Sequence, residues 1–197
     1  MANDNFGRGL FPLRQPTPDS VHAYRVNTAA DIYLGMPVAI DANGEVSVIG
    51  VNTAGLVQVL GVVVGFQDEG GGAPLETDPF LDVSDIAAGR IFNALVLDNL
   101  SQEYVIQEDT GGSALTQADA GTVATMIYMT GSGSTTTGWT NLELDRSTVV
   151  TTTSGQIQLL RVHQTTNSDG TANAPGNYCK WVVRLLNSQK GFITAAI

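Results

Sequence analysis

Residues 93–107 read NALVLDNLSQEYVIQ. Two apolar runs, Ala94-Leu95-Val96-Leu97 and Tyr104-Val105-Ile106, flank Asp98-Asn99-Leu100-Ser101. Asp and Asn tolerate left-handed backbone angles and bond their own local backbone, so the middle has turn chemistry. Val, Leu, Ile and Tyr suit a pleated, half-buried surface. The stretch reads as a β-hairpin at the centre of an all-β domain, with nothing catalytic in it.

The flanks extend the pattern. Val21 to Val26, Met36 to Asp41, Glu45 to Ile49, Leu56 to Phe66, Val123 to Met129, Gln156 to His163 and Tyr178 to Leu186 all read as strands. Asn43-Gly44 sits between two of them and is the strongest short hairpin signal. Gly61 and Gly65 inside one strand suggest a bulge or a bend, as when a sheet curls into a barrel. Thr116 can cap a single turn of helix over the residues that follow. No amphipathic helical period of useful length occurs. The expected fold is therefore all-β: a β-barrel or β-sandwich of about ten short strands, with an extended N-terminal arm and long loops. The arm is residues 1–20 and the β-rich domain 21–197. Within that domain, 21–70 could close a small barrel, with a second β part over 80–197.

The loops are polar. Asp68 to Pro79 is Gly-rich and carries Asp68, Glu69, Glu76 and Asp78, which leaves a weak cation site open beside the plainer reading of a solvated acidic loop. Gly131 to Gly138, GSGSTTTG, reads as an exposed low-complexity loop, and Thr165 to Asn177 as an Asn-rich one. The arm is broken by Gly7, Gly9, Pro12, Pro16 and Pro18, so no period survives in it. It nevertheless carries Phe6, Leu10, Phe11 and Leu13. Disordered tails are poor in aromatics, so this arm is expected to dock, with those four residues as anchors on a neighbouring surface.

Composition narrows function. Charged residues make up 14% of the 197 residues, against a norm of about 25%. A surface short of Lys and Glu is often one covered by partners. The formal net charge is −10, which argues against nucleic acid and anionic lipid, since both call for a basic stripe. No run approaches a membrane span and no export signal is visible, so a cytoplasmic origin is expected.

Catalytic signatures are missing. His22 and His163 lie on separate strands without metal-ligand spacing. Cys179, the single cysteine, sits in a strand-like segment and reads as a buried, inert thiol. Neither a nucleophile elbow nor a phosphate-binding loop occurs. The chain is read as a non-enzyme with no cofactor and no metal. Trp181 looks like core; Trp139, in a loop, is the one candidate for an exposed binding aromatic.

Several stretches are similar to one family. They are Tyr33 to Val38 (YLGMPV), Leu97 to Gln107, Gly131 to Gly138, Leu142 to Thr148 (LELDRST) and Gln158 to Val162 (QLLRV). Together they resemble structural proteins of tailed bacteriophages, head proteins that decorate or cement the capsid. The resemblance implies a virion protein on the outer surface of the capsid, made in the host cytoplasm. Its partners would be the major capsid protein and itself, as a homo-oligomer with a trimer favoured at local three-fold axes. A tail, fibre or spike component of the same kind of particle is the alternative.

Overall fold

The computed structural model describes residues 3–5, 7–26, 30–49, 58–68, 80–84, 91–99, 101–151 and 155–186. Among these run thirteen strands. They are β1 (Phe11–Pro12), β2 (Val21–Arg25), β3 (Ile32–Tyr33), β4 (Pro37–Ile40), β5 (Val46–Val48), β6 (Gly61–Asp68) and β7 (Phe80–Leu81) in the first half. Then come β8 (Phe92–Leu97), β9 (Glu103–Gln107), β10 (Val123–Gly133), β11 (Thr140–Val150), β12 (Ile157–Val162) and β13 (Lys180–Leu185). The fold is all-β, as expected.

Eleven of the strands form two curled antiparallel sheets, and β3 and β7 pair separately. One has the order β2-β8-β6-β4-β5, and a parallel bridge from Val26 to Val46 brings its ends together. Its interior is Val26, Met36, Val38, Val46, Val63, Phe66, Phe92, Ala94 and Val96, with Ile32, Tyr33 and Leu81 of the β3–β7 pair capping it. The other has the order β1-β9-β13-β12-β10-β11, and a parallel bridge from Glu108 to Leu144 brings β11 back to the end of β9. Tyr104, Ile106, Met126, Leu144, Leu159, Trp181 and Val183 fill this second barrel. The same apolar cluster takes in Ile49, Val59, Val62 and Leu97 of the first barrel, so the two units share a seam.

Two sequence expectations change here. The first barrel does not close within residues 21–70, because β8, the strand between β2 and β6, comes from 92–97. Nor is the opening stretch a hairpin. β8 pairs with β2 and β6, whereas β9 pairs with β1 and β13. The turn chemistry is present: Asn99 Oδ1 accepts the Ser101 N–H at 2.9 Å. The chain crosses from one barrel to the other there as an arch. Asp98 binds back into the first barrel, through His22 Nδ1 at 3.0 Å and the Tyr24 hydroxyl, and that holds the chain open.

Other expectations hold. Asn43-Gly44 joins β4 to β5, with Gly44 at φ +80° and Asp41 Oδ1 accepting the N–H groups of Asn43 and Glu45. β6 bulges between Val63 and Gly65. Thr116 and Asp119 form a reciprocal capping pair on a single helical turn, Gln117–Asp119. The GSGSTTTG segment is more ordered than its composition suggests, since β10 runs on to Gly133. A Cβ at Gly133 would sit 2.3 Å from the Tyr33 ring, so only glycine allows that approach. Leu34 then bridges Trp139 and receives the Thr140 N–H at 3.0 Å, which ties this hairpin across the seam.

Candidate interaction surface

The N-terminal arm docks on its own chain. Asn3 Nδ2 donates to the carbonyls of Ala174 and Asn177 at 2.8 and 3.0 Å, and Asp4 takes the Ser168 hydroxyl at 2.9 Å. The Asn-rich loop over 165–177 is thus the arm's receptor. Further along, the Leu10 N–H donates to Gly35 at 3.0 Å, Phe11 and Pro12 pair with Val105 and Tyr104, and the Leu13 N–H donates to Glu103 at 2.9 Å.

This docking sorts the four expected anchors. Leu10 is fully buried in the chain's own core, so it cannot reach a neighbour. Leu13 is half-buried. Phe6 lies outside the described residues, as does most of the 68–79 acidic loop. Of the three described anchors, Phe11 is the exposed one, at 41%. Its ring lies 5.7 Å from that of Trp139, tilted by 49°, and the Arg8 guanidinium carbon is 5.7 Å from the same indole. Trp139, read from the sequence as the exposed aromatic, is half-buried and completes a Phe–Trp–Arg cluster.

Two grooves flank Phe11. One, of about 290 Å³, is lined by Arg8, Phe11, Val105, His163, Thr165 and Lys180. Burial, with help from Arg161 and Lys180, lowers the His163 pKa, so that imidazole is neutral at neutral pH. The other, of about 480 Å³, is lined by Pro12, Leu13, Arg14, Pro16, Val64 and Trp139. Arg8, Arg14 and Lys180 gather here from a chain with only 9 basic residues. Aromatic and arginine side chains over apolar grooves are the chemistry of protein–protein contact.

Beneath the arm lies a buried polar knot. Glu108 is wholly enclosed, receiving Trp181 Nε1–H at 3.0 Å and Arg146 Nη1 at 3.4 Å. Arg146 also donates to the carbonyls of Thr110 and Gly111. Gln107 Nε2 donates to Glu143 Oε1 and to Asn5 Oδ1 of the arm, each at 2.9 Å. The second Glu143 oxygen is buried without a partner. Burial pushes both glutamates up to about 7, against the lowering effect of their hydrogen bonds. The sequence carried one trace of this knot: Arg146 falls on the Leu142–Leu144 face of β11, where the alternation calls for an apolar residue.

The remaining candidates have clear places. Cys179 is buried, and burial pushes its thiol up to about 12. No group of three or more metal-ligating side chains gathers among the described residues. Nor does any described helix have the length and apolarity to cross a membrane. No protein-family model, curated protein or solved structure matches the chain.

Proposed function

We propose that this protein is a capsid decoration protein: a rigid β-scaffold that binds the outer surface of a phage shell and stabilises it. The observation that carries the reading is the Phe11–Trp139–Arg8 cluster, built by an arm folded back on its own barrel. An exposed phenylalanine against a half-buried tryptophan, with an arginine over the indole, is a hot-spot composition, and Phe11 holds that position with its backbone already ordered in a ladder. Such pre-ordering suits a protein that must add to a finished shell without refolding. The low content of charged residues and the resemblance of the stretches above to phage head proteins point the same way. Self-association into a trimer belongs to the same proposal.

The test is to mix the protein with purified undecorated phage heads and pellet them. Saturable binding at a fixed ratio to the major capsid protein supports the reading, and the ratio identifies the lattice site. No binding to heads, expanded or unexpanded, overturns it in favour of a tail, fibre or spike role.

A further inference from the structure

The two barrels correspond strand by strand. With β1 set aside and the remaining strands taken in chain order, both follow the arrangement first-fifth-fourth-second-third, and in both a parallel bridge joins the first strand to the third. The hydrogen bonds repeat as well. The Val26 N–H donates to Phe92 at 3.0 Å, and the Glu108 N–H to Cys179 at 2.9 Å. Leu60 donates to Val38 at 2.7 Å, and Gln156 to Ala124 at 2.9 Å. Gly35 (φ +79°) donates to Val63 at 2.9 Å, and Gly121 (φ +93°) to Leu159 at 2.8 Å. Even the bulge recurs at one position, between Val63 and Gly65 and between Leu159 and Arg161. Residues 21–26 therefore correspond to residues 103–108.

The correspondence exposes one difference. The outer edge of β9 is occupied by β1, with Phe11 opposite Val105 and Pro12 opposite Tyr104. Leu10 enters the barrel there, and Tyr104 is 1% exposed. On β2, the equivalent strand, β8 is the one partner along its length among the described residues. Ser20 and Val26 bond towards β8, so antiparallel alternation turns the N–H and C=O groups of Val21, Ala23 and Arg25 to the other side. Ala23, the counterpart of Val105, is exposed. The His22 side chain, the counterpart of Tyr104, is 48% exposed although it faces the same way.

We propose that the outer edge of β2 at Val21–Ala23 is a strand-addition site that accepts an extended segment of another protein, as β9 accepts the arm. The proposal rests on the decoration reading, under which the segment belongs to the shell protein. The second barrel supplies the template for the occupant: a short extended segment, antiparallel to the strand, with one side chain entering the barrel gap. The arm of a second copy does not fit this role. That arm is held by Leu10 in its own core and by Asn3 and Asp4 on its own loop, and removing it would open the equivalent edge on its own β9. Backbone pairing supplies affinity in such additions, and the inward side chain supplies selectivity.

The substitution Ala23→Pro tests the site. It removes an N–H that points away from β8 and fills the edge, while an edge strand tolerates proline there. The expected result is a loss of head binding of about tenfold or more, with an unchanged melting temperature. Hydrogen exchange on the wild-type protein gives a second readout that does not depend on the variant folding. Head binding is expected to slow exchange over Val21–Arg25. Wild-type binding with neither protection at Val21–Arg25 nor a loss in the folded Ala23→Pro protein overturns the strand-addition site alone. No binding by the wild type overturns the decoration reading, and this site with it.

Discussion

At the scale of single residues, Leu10 and Phe11 are neighbours with opposite fates. Strand geometry sends consecutive side chains to opposite faces, so one enters the core and the other faces solvent. Leu10→Ala is expected to destabilise the fold by about 2–5 kcal/mol, read by denaturant unfolding. Phe11→Ala is expected to leave stability within about 0.5 kcal/mol and to weaken head binding about tenfold or more. The sequence offered no way to separate them, because an arm dense in proline and glycine carries no period. Cys179 and Trp181 were legible because they lie in a mostly apolar segment, Cys179 just before β13 and Trp181 within it. Glu143 gives a pH prediction. Its folded pKa, about 7, lies above the ordinary carboxylate value, so the folded state holds the proton more tightly. Its contribution is complete at low pH and is lost as pH rises through about 7. Glu143→Gln is therefore expected to raise the melting temperature at about pH 8 and to change it little at about pH 5. An equal effect at both pH values would contradict the assignment.

At the scale of elements, the arch between β8 and β9 shows the limit of local reading. Its two apolar runs and its Asx turn were correctly located, and the Asn43-Gly44 hairpin was correctly paired on similar evidence. What differs is long-range. The Asp98 carboxylate is claimed by His22 and Tyr24, far back in the chain, and the Tyr104 hydroxyl donates to Leu97 at 3.2 Å inside the seam. Neither contact leaves a local trace. The arm changes its expected behaviour for the same reason. A free arm could be removed without cost, but this one supplies Leu10 and the β1 ladder. Deleting residues 2–13 is expected to lower the melting temperature by several degrees as well as to weaken binding. At the other end of the seam, Gly133→Ala is expected to destabilise by about 1–3 kcal/mol, because the new methyl meets the Tyr33 ring.

At the scale of the whole molecule, the all-β class was legible and the strand-by-strand correspondence of the two barrels was not. Residues 21–26, VHAYRV, and 103–108, EYVIQE, hold the same place in their barrels with no identical residue between them. Backbone pairing and a bulge preserve an architecture that side chains have left behind. The shared apolar seam predicts a single cooperative unfolding transition, observed as coincident curves from near- and far-ultraviolet circular dichroism. The acidic excess, with a basic cluster around Phe11, predicts that binding to heads weakens as salt rises. A decoration protein stabilises its shell, and heat is the most direct probe of that. DNA-filled heads lacking decoration would be warmed with and without saturating protein, and DNA release followed with an intercalating dye. Release is expected at a higher temperature when the protein is bound, with the gain reduced for Phe11→Ala. Release at the same temperature, with the protein demonstrably bound, would contradict it.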